Sequence, residues 1–250
     1  MIYINSNLKL LKEEFLIINS MGWIKSKYKG SGAIGRTFED LLGLPYNKFE
    51  IPDFNGIEIK TKRYNSKSYI SLFNAAIDGK LLFQTKNFVD KFGWPNKSYP
   101  STKVLFCDIK GEKNNYVGAK YIMHAKVNYN DKRVYLNVFS KSGAPISLNE
   151  YYWSFDLLEK KLKRKCNFLA VVLAENKFFD KTEFFFYKKI IFYKLISFHN
   201  FCKLISLGII KITFKNSIYK SGINYGKPYD HGTSFSIQLD DLDKLFYVIK

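Results

Sequence analysis

Asp53-Phe-Asn-Gly-Ile-Glu-Ile-Lys-Thr-Lys-Arg63 brings together side chains that could cut a phosphodiester. From Ile57 the residues alternate, which puts Ile57, Ile59 and Thr61 on one face of a strand and Glu58, Lys60 and Lys62 on the other. Asn55-Gly56 is a strong turn dipeptide, so Asp53 is expected to lead into a hairpin or bend whose second limb carries Glu58 and Lys60. Two carboxylates and an ammonium would then meet at one point. Carboxylates of this kind hold Mg²⁺, which neutralises charge building on the phosphorus oxygens, and a lysine beside them orients or deprotonates the attacking water. In a chain so rich in lysine the same pattern also reads as an ordinary strand with a charged solvent face. Position alone leaves both readings open.

Composition bears on the choice. The 250 residues suffice for one large domain or two small lobes, with ample apolar content for an interior. Forty lysines and arginines stand against 22 acidic residues, a net charge of +18. Such an excess of base points to a polyanion, nucleic acid first among them. A membrane surface is the rival, but the longest apolar run, Phe168 to Ala174, is far too short to span a bilayer. Lys9 and Lys12 interrupt the N-terminus, which does not resemble a signal peptide. Cys107, Cys166 and Cys202 have neither metal-ligand spacing nor an even disulfide count, and a reducing cytoplasm fits them best.

Elements must position the acidic set. Leu8, Leu11, Phe15 and Ile18 recur at helical spacing and predict an amphipathic helix over 8–20, ending near Met21-Gly22. A basic, glycine-rich loop follows from Lys25 to Gly35. Its Gly30-Ser-Gly-Ala-Ile-Gly35 formally matches a dinucleotide fingerprint, but no apolar strand precedes it, so that reading is rejected. Arg36 to Leu42 reads as a short helix carrying Glu39, by itself an ordinary exposed glutamate. Strands are expected at 69–73 and 103–110, and Asp108-Ile-Lys110 in the second is an internal competitor for the active site. Tyr121 to Tyr129 and Val134 to Phe139 read as a hairpin, in which His124 is structural or on the surface. Ser154 is a good N-cap for a helix to about Lys165, whose last turn is either a phosphate contact or a solvated helix end. Phe168 to Ala174 reads as a buried strand with Glu183 to Tyr187 as hairpin partner, then a helix over 196–207, a strand over 209–214, another over 233–239 and a closing helix. Between the last two strands, Lys215 to His231 reads as a long basic and aromatic loop with Lys215, Lys220, Tyr225 and Lys227, suited to a groove of DNA.

A family resemblance emerges at this point. Gly32-Ala-Ile-Gly-Arg-Thr-Phe-Glu-Asp-Leu-Leu42 followed by Pro52-Asp-Phe-Asn-Gly-Ile-Glu-Ile-Lys-Thr61 strongly resembles the MvaI/BcnI type of restriction endonuclease, and more distantly the MutH mismatch-repair nickase. The likeness continues through Tyr152-Trp-Ser-Phe-Asp156 and Phe168-Leu-Ala-Val-Val-Leu-Ala-Glu-Asn-Lys177 to Asp230-His-Gly-Thr-Ser-Phe235, in the same order over most of the chain. It implies an α/β architecture of the PD-(D/E)XK restriction-endonuclease-like fold, a mixed sheet flanked by helices, with two lobes around a DNA cleft. A catalytic lobe over 1–150 and a recognition lobe over 151–250 are expected. The resemblance implies that Asp53 and Glu58 are metal ligands, that Lys60 is the catalytic lysine, and that Glu39 is the helix-borne carboxylate of the catalytic set; the Ile59 carbonyl, between Glu58 and Lys60, is expected as a further ligand. His231 resembles a residue of the DNA-reading region, with Asp230 and Thr233 beside it, although Asp230 and His231 could equally pin a turn. Arg36 and Lys62 are further candidate DNA contacts. Lys215 stands where the resemblance implies an arginine, and the chain has only Arg36, Arg63, Arg133 and Arg164 to read guanine bidentately.

The expected function is that of a type II restriction endonuclease, a Mg²⁺-dependent hydrolase of double-stranded DNA at a short sequence. It is expected to be cytoplasmic and monomeric, with no membrane partner and with a companion methyltransferase only as an unstable associate, if one exists. Two rivals remain: a MutH-like strand-specific nickase needing an activating partner, and a DNA-binding module without catalysis.

Overall fold

The computed structural model describes residues 2–45, 51–78 and 81–249. In chain order these form α1 (Ile2–Ser20), β1 (Ile24–Lys25), α2 (Ala33–Leu41), β2 (Glu58–Arg63), β3 (Ile70–Asn74), α3 (Leu81–Phe92) and β4 (Trp94–Pro95). There follow β5 (Lys103–Ile109), β6 (Asn115–Val117), β7 (Tyr121–Asn128), β8 (Arg133–Ser140), β9 (Pro145–Ser154), α4 (Phe155–Cys166), β10 (Phe168–Phe179) and β11 (Thr182–Leu195). The chain closes with α5 (Phe198–Ser206), β12 (Lys211–Ile218), β13 (Pro228–Asp230), β14 (Ser234–Ile237), a 3₁₀ segment (Leu239–Lys244) and β15 (Phe246–Ile249).

Two compact units are interleaved in the chain. One comprises Met1–Ser68, Lys163–Ile196 and Phe246–Lys250; the other comprises Tyr69–Leu162 and Ser197–Leu245. The division expected near residue 150 differs from this, because β10 and β11 are the pairing partners of β2 and β15, so the first unit needs chain from both ends and the middle.

The first unit is a five-stranded mixed sheet in the order β1-β11-β10-β2, with β15 on β11. Its axis is β10, where Leu169, Ala170, Val171, Val172, Leu173 and Ala174 are all buried. A run of apolar residues without alternation is what a central strand covered on both faces requires. It lies parallel to β2, Leu169 opposite Glu58 and Val171 opposite Lys60, and antiparallel to β11. The stripe Leu8, Leu11, Phe15 and Ile18 of α1 packs with Ile34 and Phe38 of α2 and with Ile57, Ile59, Ala170 and Val172. The mixed sheet flanked by helices is therefore present. Three boundaries differ from expectation. Helix α1 begins six residues earlier than its apolar stripe; the strand expected over 183–187 runs on as β11 to Leu195, with the expected helix following as α5; and the chain ends in strand β15, with the predicted closing helix reduced to a 3₁₀ segment.

The second unit holds a six-stranded sheet, β3-β14-β12-β5-β4 with β13 on β12, and an antiparallel sheet β6-β7-β8-β9. Aromatic rings fill its interior: Phe235 stacks on Phe73 at 5.1 Å, and fully buried Trp153 meets Phe235 edge-on at 5.5 Å. The indole N–H of Trp153 donates to the Ala75 carbonyl at 3.1 Å. The 121–139 hairpin and the Ser154 cap form as expected, with the Leu157 amide donating to Ser154 Oγ.

Candidate active site

The acidic set is built by a two-residue hairpin. Phe54 and Ile57 exchange both backbone hydrogen bonds, at 2.9 and 2.8 Å, around Asn55 and Gly56. Both turn residues have positive φ, 45° and 90°, which asparagine and glycine tolerate and which matches the twist of the flanking limbs. Phe54 and Ile57 point into the core. Alternation turns the next pair to the opposite face, where Asp53 and Glu58 come near enough for the Glu58 charge to act on Asp53. Asn7 Nδ2 of α1 donates to the Asn55 carbonyl at 2.9 Å and braces the turn.

Glu58 is not on a solvent face. Only 2% of its side chain is exposed, and both oxygens are held by ammoniums: Oε1 by Lys60 and Oε2 by Lys165 at 2.8 Å. Asp53 Oδ2 accepts the Ile59 N–H at 2.9 Å. Burial raises the Asp53 pKa, as does the Glu58 charge, against the pull of the Ile59 amide and the lysines. Burial opposes the Lys60 charge, yet Glu58 outweighs it, and the amine is held above its ordinary value. Glu39 is raised by burial first and Asp53 second, with Lys60 acting the other way.

Glu39 reaches this neighbourhood because α2 lies close to β2. A Cβ on Gly35 would stand 3.2 Å from Thr61 Oγ1 and 3.8 Å from Glu39 Oε1, so glycine is the residue that permits the approach. Raised carboxylates in the folded state work against stability when ionised. What Asp53 and Glu39 contribute is present in acid and lost as pH rises through their elevated pKa values.

The donor set suits a divalent cation. Two mutually repelling carboxylates stand together, and lysine ammoniums already serve as stand-in cations on one of them. Among the described residues no group of three or more His, Cys, Asp or Glu is close enough to hold a metal. Glu39 is near enough to Asp53 to feel its charge. Neighbouring Cys166 is buried and its thiol is pushed up to about 12, which keeps it neutral.

The sequence model of the MvaI/BcnI restriction endonuclease family matches residues 12–246. The chain belongs to the MvaI/BcnI restriction endonuclease family. The enzyme is accordingly a type II restriction endonuclease, a hydrolase that cleaves DNA at a specific site, with a restriction-endonuclease fold. It is similar to the restriction endonuclease MvaI in complex with cognate DNA substrate, at 30% identity over 97% of each chain and a TM-score of 0.90. It is also similar to MvaI in the absence of DNA, at 26% identity over 97% of this chain and 96% of that one, with a TM-score of 0.61. No curated protein sequence matches it.

Other candidates fall into place unevenly. Asp108 is committed to Lys211 Nζ at 2.9 Å and Thr213 Oγ1 at 2.7 Å, which removes the competing acid-lysine pair. Lys62 is buried and donates to the Ser68 carbonyl, so it braces its own segment and cannot present its amine to DNA. Arg36 is exposed, its guanidinium over the Tyr28 ring. Lys215 is not in a loop: β12 runs on to Ile218 and returns as β13, with Asn216 opposite Asp230 and Ser217 opposite Tyr229. Lys215 pairs with Phe106 of β5, and burial, with Lys211 next, lowers its pKa. Only 219–227 form the hairpin tip, where Lys220, Tyr225 and Lys227 are exposed.

Asp230 Oδ1 accepts the Gly232 N–H at 2.7 Å, which is the turn-pinning role. Thr233 is buried, and its carbonyl receives the Ala75 amide, so its side chain is withdrawn from solvent. His231 remains exposed, edge-on to Tyr229 at 4.0 Å with Nε2 3.0 Å from Ser217 Oγ. Sequence reasoning missed Lys165 at the acidic set, because α4 is far from β2 along the chain. It also missed Phe106, 61% exposed beside Lys215, because its strand reads as wholly buried. Among the described residues no helix is long and apolar enough to cross a membrane.

Proposed function

We propose that the enzyme is Mg²⁺-dependent, acts on double-stranded DNA as a monomer in the cytoplasm, and uses Asp53, Glu58, Lys60 and Glu39 for hydrolysis. The observation that carries the reading is the opposed Asp53–Glu58 pair with Lys60 on Glu58. Asp53 and Glu58, with the Ile59 carbonyl, would hold the metal. When bound, Mg²⁺ supplies charge neutralisation at the scissile phosphate. Lys60, released from Glu58, positions the attacking water and helps it lose a proton. Glu39 keeps the site negative enough to attract the cation.

Ser26 is buried against Thr37 while Lys25, Lys27 and Lys29 stay exposed, so this loop offers three cations to DNA phosphates. MvaI has been solved with its cognate DNA, and a protein of +18 charge suits the same partner. The test is a mixed-sequence plasmid incubated with Mg²⁺, followed by sequencing of the ends. Discrete linear fragments sharing one end sequence are expected. Nicked circles alone would favour a strand-specific nickase, and intact plasmid a binding module.

For base reading, the favoured surface is the polar face of β12, bearing Lys215 and Ser217 with His231 beside it, and the tip with Lys220, Tyr225 and Lys227 is the favoured backbone grip. A good base contact discriminates by about 1–3 kcal/mol. Lys215→Ala and His231→Ala are expected to weaken cognate binding far more than binding to random duplex, measured by anisotropy. Equal losses on both would leave this hairpin as a phosphate clamp only.

A further inference from the structure

Lys165 is the feature of the acidic set that hydrolysis as described does not use. It stands in the last turn of α4 with its side chain only 20% exposed. Its Nζ donates to Glu58 Oε2 at 2.8 Å and to the Ile51 carbonyl at 2.7 Å. With Lys60 on Oε1, the carboxylate has an ammonium on each oxygen. Two positive charges therefore compensate Glu58 before any metal arrives, and a cation approaching Oε2 meets a like charge already seated there. The double anchoring of Lys165 decides what can move. If it gives up Glu58 it keeps the neutral Ile51 carbonyl, and the flexible lysine stem allows the short withdrawal without leaving the ammonium unbonded.

We propose that Lys165 is a resident counter-cation of the metal site: it occupies Glu58 Oε2 in the metal-free enzyme and withdraws to the Ile51 carbonyl when a divalent cation binds. The inference rests on the reading of Glu58 as a metal ligand. Lys165 is on this view a positioning residue. It stabilises a buried carboxylate in the resting enzyme and weakens metal binding to the free protein, so that the site fills most readily when DNA brings its own negative charge.

The experiment is calorimetric titration of Mn²⁺ into the full chain without DNA. Lys165→Gln keeps hydrogen-bonding reach and removes the charge, and it is expected to bind Mn²⁺ on the order of tenfold more tightly than the parent, a magnitude usual for groups next to metal ligands. Lys165→Arg retains the charge and is expected to stay within about twofold of the parent. Unchanged or weaker binding by folded Lys165→Gln overturns the proposal. Should that variant fail to fold, ¹⁵N spectroscopy of the lysine ammoniums in the parent decides instead. The Lys165 resonance, assigned by its loss in Lys165→Arg, shifts on addition of Ca²⁺ if the ammonium leaves Glu58, and an unmoved resonance overturns the proposal. Glu58→Gln separates the two levels: parent-like Mn²⁺ binding there would refute Glu58 as a metal ligand, the reading underneath.

Discussion

Lys60→Ala should abolish DNA cleavage while leaving sequence-specific binding close to that of the parent. In the proposed function Lys60 is the ammonium assigned to the attacking water, and a positioned proton-transfer group contributes roughly 10²–10⁴-fold in rate. Its loss does not orphan the buried carboxylate, because Lys165 remains on Glu58 Oε2. The variant should therefore fold, which makes it a cleaner test than Glu58→Ala, where two ammoniums would lose their shared partner and cleavage should vanish as well. Ca²⁺ in place of Mg²⁺ should reproduce the phenotype, supporting binding without turnover. Single-turnover cleavage read alongside binding in Ca²⁺ separates the two quantities. A Lys60→Ala enzyme that cuts near the parent rate would place the active site elsewhere.

Affinity for DNA should fall steeply with salt. The enzyme carries +18 net charge, and Lys25, Lys27, Lys29, Lys220 and Lys227 are all exposed. If about 6–10 phosphates are neutralised, log K declines almost linearly with log salt, and binding weakens by roughly 10³–10⁵ between 50 and 200 mM. Charge reversal at the loop, as in Lys27→Glu, should reduce the slope by about one contact and weaken cognate and random duplexes alike. A flat response in an anisotropy titration would mean that the basic surface does not meet phosphate at all.

The features set by neighbouring residues alone are the legible ones. The Asn55-Gly56 turn needs only two residues that tolerate positive φ, and the alternation after it needs only period two, so the opposition of Asp53 and Glu58 follows from ten residues of sequence. The stripe on α1 and the Ser154 cap are local in the same way. Order and spacing of the motifs pointed to the family, which the family match over 12–246 shows.

Long-range pairing was hidden. Nothing between 53 and 63 says that Glu58 will lie beside Leu169, or that Lys165, 107 positions away, will close over its second oxygen. A lysine cluster at a helix end has the same sequence signature whether it is solvated, bound to phosphate or buried against an acid. Lys215 to His231 looked like a loop because its glycines and polar residues carry a turn signal, whereas strand pairing with β5 holds Lys215 in register. The pairing of β15 with β11 likewise depends on a strand edge more than fifty residues earlier. By itself the sequence determined the turn and the strand that carry Asp53, Glu58 and Lys60, because that geometry is local. Only the tertiary structure decided how deeply Glu58 is buried and which cations attend it, because burial and charge pairing are made by segments that meet after folding.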